Sequence, residues 1–166
     1  RLRFYAGLTV EEAAKAQNFS EMTRLVTEAN PKFQRLIAAL KAAIRPETKM
    51  ILVEVVSNPT LRVADMEGIA TVAREAGVRL AVDNTFTTPR AWRPFEHGAD
   101  IVIESLTKFL GGHGNSIGGM LVDAGTFNWS RGGRYPMLCE PRPEYHGIVL
   151  HENFGNFAFA IACRVL

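Results

Sequence analysis

Four short apolar runs, at residues 50–56, 78–82, 101–104 and 117–122, constrain this chain more than any other feature. Each is rich in β-branched residues, too short for an ordinary helix, and bounded by polar or glycine-containing stretches, which is the pattern of strands. The first is so nearly continuous that it predicts a strand buried on both faces. Between the first and second lies a helical pattern. Asp65 is placed to cap it, Met66, Ile69, Ala70 and Ala73 form its inner face, and Gly77 stops it. Strand, helix, strand alternation predicts an α/β sheet with right-handed crossovers. In such sheets chemistry gathers at the carboxyl ends of the strands, so the polar residues just after each run are the candidates for function.

The first third of the chain is helical in texture. Thr9-Val10-Glu11-Glu12 has the form of a capping box, and Met22, Leu25, Val26 and Ala29 share one helical face. Asn30-Pro31 then starts a helix with the stripe Phe33, Leu36, Ile37, Leu40 and Ile44, which Arg45-Pro46 ends. The 166 residues suit one domain of ordinary size. A net charge of +2, with the basic residues scattered, points away from nucleic acid and from a membrane surface as partners. The two cysteines, Cys139 and Cys163, have no metal spacing and form no disulfide framework, as expected of a cytoplasmic protein. The chain opens without an initiator Met and runs apolar from 158 to 166, as expected for a piece of a longer protein.

Three polar sets follow three of the strands: Ser57-Asn58-Pro59-Thr60, then Asp83-Asn84-Thr85, then Ser105-Leu106-Thr107-Lys108 with Gly111-Gly112-His113-Gly114 behind it. A carboxylate at the mouth of a buried sheet needs a partner. For Asp83 a protonated pyridine nitrogen would serve; a helix cap or a metal would also account for it. Lys108 is flanked by hydroxyls at −3 and −1 and glycines at +3 and +4. Hydroxyls and backbone N–H groups bind phosphate, and glycines let a ligand approach the backbone. A lysine beside such a cradle suits a cofactor that joins an amine and carries a phosphate, although a solvated lysine is the common alternative. A nucleotide-binding P-loop has its lysine after the glycines, the reverse of the order here. Trp92, Trp129 and Tyr145 are stacking candidates that equally suit core or rim. His97, His113, His146 and His151 have no metal spacing.

From about residue 49 to 165 these motifs resemble the pyridoxal-phosphate (PLP)-dependent Cys/Met-metabolism family. The likeness lies in Ser57-Asn58-Pro59, Val82-Asp83-Asn84-Thr85, His97-Gly98-Ala99-Asp100, Ser105-Leu106-Thr107-Lys108, Gly111-Gly112-His113-Gly114 and Ile117-Gly118-Gly119. Glu140-Pro141-Arg142-Pro143-Glu144-Tyr145-His146-Gly147 and Phe154-Gly155-Asn156 most resemble the O-acetylhomoserine sulfhydrylases within it.

The resemblance implies part of the large, cofactor-binding domain of the fold-type-I PLP-dependent transferases, with a mostly parallel sheet flanked by helices. It implies Lys108 as the Schiff-base lysine, Asp83 on the pyridine nitrogen, Ser105 and Thr107 on the phosphate, and Asn58 near the ring or the substrate carboxylate. It also implies γ-replacement, in which O-acetyl-L-homoserine and sulfide give L-homocysteine and acetate, in a homotetramer built as a dimer of dimers. A γ-lyase acting on methionine or cystathionine shares every one of these residues, and a non-catalytic fragment is a further alternative. Residues 1–44 fall outside the resemblance and are expected to be a helical segment, with 45–166 the central part of the domain. The family's upstream glycine-rich turn, stacking aromatic, neighbour-subunit Tyr/Arg pair and small C-terminal domain have no counterpart in these motifs.

Overall fold

The computed structural model describes residues 31–165. The helix signals at Thr9 and along Met22, Leu25, Val26 and Ala29 lie outside the described residues. The first described helix, α1 (Pro31–Ala43), ends two residues short of Arg45-Pro46. Its stripe at Ile37 and Leu40, continued by Ile44, packs on the main core, while Leu36 faces solvent. Helix α2 (Met66–Ala76) follows its sequence signals closely. Asp65 accepts a hydrogen bond from the Gly68 N–H at 3.0 Å, and Gly77 closes the helix at φ 64°, in the left-handed region where glycine has no Cβ to clash. Met66, Ile69, Ala70 and Ala73 are all buried.

Four strands form one sheet in the order β1 (Met50–Glu54), β2 (Arg79–Asp83), β3 (Ile101–Ser105), β4 (Gly119–Asp123). The first three are parallel, and β4 is antiparallel to β3. A parallel neighbour needs a crossover of a dozen or more residues, usually containing a helix. The 55–78 and 84–100 connections contain helical turns: α2 in the former, α3 (Thr88–Ala91) and the 3-10 turn Pro94–His97 in the latter. The 106–118 connection contains no helix, and the chain comes back antiparallel.

The expectation that 50–56 is buried on both faces is corrected. Ile51 and Val55 lie in the core, but Met50 and Leu52 are 47% and 64% exposed. The cause is coverage: α1 and α2 lie on the face that Ile51, Leu80 and Val82 present, and nothing among the described residues covers Leu52. Strand β2 keeps its prediction, with Leu80, Ala81 and Val82 inaccessible. The fourth strand starts later than its apolar run, and Ile117 is exposed.

The 124–165 segment folds over the other face of the sheet at the amino-terminal ends of the parallel strands. It comprises short helices α4 (Pro136–Cys139) and α5 (Leu150–Phe154), helix α6 (Ala158–Val165), and 3-10 turns between them. Its own apolar cluster contains Trp129, Tyr135, Leu138, Leu150, Ala158 and Ala162. Tyr135 donates through its hydroxyl to the Lys49 carbonyl at 2.7 Å, and Arg134 reaches the Thr48 carbonyl at 3.1 Å.

Between sheet and segment lies Arg79, 1% exposed. Its guanidinium carbon is 3.3 Å from the Trp129 ring centroid, 4.5 Å from that of Phe127 and 4.9 Å from that of Phe159. One nitrogen lies 3.3 Å from Asp123 at the end of β4. Aromatic faces are attractive to a desolvated cation, which is why three rings gather here. Burial lowers the Arg79 pKa against the opposing pull of Asp123 and Asp100, and burial raises that of Asp100. Trp129 is thus a core residue rather than a cofactor stacker.

Removing one member of a buried ion pair leaves the other charge stranded. Asp123→Ala is expected to cost about 3–5 kcal/mol, whereas Arg79→Met, which leaves an apolar chain among the rings, costs less. Urea unfolding of the two variants beside the wild type measures the difference; equal losses would show that Asp123 is not the partner that compensates the charge.

Candidate active site

Parallel pairing brings three strand ends to one edge. Glu54 pairs with Asp83, and Asp83 with Ile103, so 57–60, 83–85 and 105–108 leave the sheet side by side. After β1 the chain turns tightly. The Ser57 hydroxyl lies 2.6 Å from that of Thr60 and accepts from the Arg62 N–H at 3.1 Å. The Asn58 N–H donates to Glu54 Oε2 at 2.9 Å, and the Asn58–Pro59 peptide is cis. Asn58 itself is exposed.

Asp83, the last residue of β2, is half-buried. Its Oδ1 accepts the Thr85 N–H at 2.9 Å, a short local turn that fixes the direction of the carboxylate. The Thr85 hydroxyl accepts in turn from the Ser105 N–H at 2.7 Å. The end of β2 is therefore tied to the end of β3. Asn84, between them, turns to the opposite face, where it is fully buried and donates to Glu104 Oε1 at 2.9 Å.

Lys108 stands on a tight loop. Its N–H donates to the Ser105 carbonyl at 3.1 Å, and its carbonyl accepts from the Gly112 N–H at 2.9 Å. Gly111 is required here: a Cβ on it would lie 2.2 Å from the Leu106 carbonyl oxygen. Gly112 is required for another reason, a φ of 83°. Phe109 anchors the loop edge-on against Phe86, with ring centroids 5.9 Å apart. Lys108 is exposed, and its ammonium has no hydrogen-bond partner among the described residues.

The structure thus brings Asn58, Asp83, Ser105 and Lys108 to one edge of the sheet. Thr107 is there too, but its hydroxyl is already engaged, accepting from the Gly118 N–H at 3.2 Å and donating to the Gly118 carbonyl at 3.4 Å. Sequence reading put Asn84 and Thr85 in the polar set after β2 without giving either a role, and did not count Glu104 among the site candidates. The available signal was alternation: a strand that ends Asp-Asn-Thr aims its middle residue away from the other two. His113 is exposed on the loop, Trp92 stacks on His97 at 4.5 Å, and Tyr145 bonds through its hydroxyl to the Val165 carbonyl.

The donor set suits PLP. A primary amine is free to take a carbonyl carbon, a carboxylate is held in place for a ring N–H, and the half-buried Ser105 hydroxyl sits between them in the chain. A family model described as Cys/Met metabolism PLP-dependent enzyme matches residues 15–139, and the chain belongs to that family. The match begins inside the N-terminal segment that the motifs left outside the resemblance. The chain is 52% identical over 127 residues to a homocysteine synthase of Schizosaccharomyces pombe, covering 75% of this chain and 30% of the relative. It is 50% identical over 120 residues to O-acetyl-L-homoserine sulfhydrylase 1 of Thermus thermophilus, covering 72% of this chain and 28% of the relative. A crystal structure from Campylobacter jejuni, of a protein assigned as an O-acetylhomoserine (thiol)-lyase and containing N'-pyridoxyl-lysine-5'-monophosphate, superposes with a TM-score of 0.70 at 33% identity. That superposition covers 75% of this chain and 31% of the other. The chain therefore spans under a third of the length of these relatives. No described helix is long and apolar enough to cross a membrane.

Gly111→Ala is expected to push the loop off the Leu106 carbonyl and to cost about 1–3 kcal/mol, the usual penalty of overpacking. Urea unfolding gives the energy, and faster hydrogen exchange at the Gly112 amide locates it. Unchanged exchange would mean that the loop accommodates the methyl group elsewhere.

Proposed function

We propose that this chain is the central, cofactor-holding part of a cytoplasmic O-acetylhomoserine sulfhydrylase. The overall reaction is γ-replacement: the sulfur of hydrosulfide forms a bond to Cγ of O-acetyl-L-homoserine, acetate departs with the electron pair of the C–O bond, and L-homocysteine results. The proposal includes a homotetrameric assembly. The observation that supports it best is the arrangement of Lys108 on its glycine loop beside Asp83 and Ser105, in a chain about half identical to a homocysteine synthase and an O-acetyl-L-homoserine sulfhydrylase.

In this reading PLP, when bound, supplies the electron sink that makes the substrate Cα–H acidic. The chain's own residues do the rest. Lys108 would hold the cofactor through its side-chain amine, and that amine would also take the proton from the substrate Cα. Asp83, held by the Thr85 N–H, keeps a proton on the ring nitrogen, because an opposite charge favours the protonated ring. Ser105 donates to the phosphate. Thr107 contributes there only if its hydroxyl leaves Gly118, and its present bond makes it first a brace for the loop. Asn58 would contact the ring or the substrate carboxylate.

Borohydride treatment of the PLP-loaded protein is expected to fix the cofactor on the peptide containing Lys108, and Lys108→Ala abolishes turnover. Label on Lys41 or Lys49 would sink the assignment. Asp83→Asn is expected to keep the fold while slowing turnover by about tenfold to a thousandfold, the equivalent of about 1–3 pKa units at the ring nitrogen. Near-normal turnover in that variant would remove the role given to Asp83. Assays with O-acetylhomoserine, with and without sulfide, separate homocysteine formation from the 2-oxo acid and ammonia of a lyase.

A further inference from the structure

The last backbone rung between β2 and β3 is the Asn84 N–H to the Ile103 carbonyl, at 2.9 Å. Beyond it the two chains part, one toward Thr88 and the other into the Lys108 loop. Their spacing past that point is set by side chains. On the site face Thr85 holds the Ser105 N–H. On the opposite face Asn84 Nδ2 donates to Glu104 Oε1 at 2.9 Å and to the Trp92 carbonyl at 3.3 Å, and Asn84 Oδ1 accepts from the Thr87 hydroxyl. Asn84 and Glu104 are 0% and 1% exposed.

Glu104 is an odd residue to bury. Its Oε2 has no hydrogen-bond partner among the described residues, although a buried carboxylate oxygen without one is costly. With Val102, Met120 and Val122 it lines a cavity of about 320 Å³. Arg93, also on that cavity, pairs with Glu96 instead. Among the described residues no cation meets this carboxylate, and the side-chain hydrogen bond that Glu104 makes there is through Oε1, the acceptor that reaches Asn84.

We propose that Asn84 and Glu104 are positioning residues: their buried hydrogen bond holds the strand end bearing Asp83 at a fixed spacing from the strand end bearing Ser105 and Lys108, and so sets the affinity for the cofactor. The inference rests on the functional reading above. Strand alternation supplies the mechanism. Asp83 immediately precedes Asn84 and Ser105 immediately follows Glu104, so clamping the two buried side chains fixes both site residues on the other face.

The test uses the longest reading frame that contains this chain, stripped of cofactor and titrated with PLP. Visible absorbance of the lysine-bound cofactor gives the dissociation constant, and melting of the cofactor-free protein gives stability. Glu104→Gln keeps the acceptor and loses the charge; it is expected to bind within about twofold of wild type and to melt no lower. Glu104→Leu is expected to bind about tenfold more weakly, the loss of roughly one hydrogen bond's worth of placement. Asn84→Leu/Glu104→Leu also strands the Thr87 hydroxyl and the Trp92 carbonyl, so it is expected to melt lower than Glu104→Leu while its affinity stays about tenfold down. A role confined to stability would leave the affinity of both folded variants at the wild-type value. Should the leucine variants fail to fold, Glu104→Asp, one methylene too short to reach Asn84, carries the same expectation. The inference is overturned if the folded clamp variants bind like wild type, or if Glu104→Gln weakens binding as much as Glu104→Leu. Wild-type protein that takes up no cofactor on Lys108 would overturn the functional reading as well; loaded wild type with equally loaded variants overturns the clamp alone.

Discussion

A full positive charge sits at the junction of this protein's two cores. Arg79 opens the central strand β2, and the sheet's helical face packs one apolar cluster while the 124–165 segment packs the other. The guanidinium lies against Trp129, Phe127 and Phe159 and is paired to Asp123. An arginine so placed is costly unless its partners are all present. The arrangement therefore couples the strand order to the fold of the segment: β4 must return antiparallel for Asp123 to arrive beside Arg79, and the segment must lie back on the sheet for the rings to arrive.

That lock is at the opposite end of the strands from the candidate site. Asp123 and Asp100 flank Arg79 where the parallel strands begin, and Asp83, Ser105 and Lys108 gather where they finish. Such a separation lets the two ends be specialised differently. One is dry, aromatic and charge-compensated. The other is half-buried, with an exposed amine and a carboxylate aimed by a single local N–H. The glycines belong to the second end, because a loop that folds back on the Leu106 carbonyl has no room for a Cβ at Gly111.

The hydrogen bonds at the site end run across the sheet as well as along the chain. Thr85 to Ser105 on one face and Asn84 to Glu104 on the other bind the same two strand ends. A pair of ties on opposite faces resists both twisting and separation, whereas backbone rungs stop at the Asn84 N–H. Thr107 adds a third tie, to Gly118, which closes the base of the lysine loop. These bonds hold the strand end that bears Asp83 beside the one that leads into the Lys108 loop.

Much of this was legible in the residues alone. The helix over 66–76 follows from Asp65, its apolar spacing and Gly77, because caps and periodicity are local. The strands, and the candidates Asp83, Ser105 and Lys108 at their ends, follow from apolar runs that stop at polar residues. The sequence by itself could not tell that Leu52 would be exposed, since an apolar run records which residues tolerate burial and not what covers them. Nor could it show that Thr107 spends its hydroxyl on Gly118, that Trp129 faces an arginine, or that Asn84 finds Glu104. Each of those pairings joins residues ten or more positions apart, and only strand register and the return of β4 decide which of them meet.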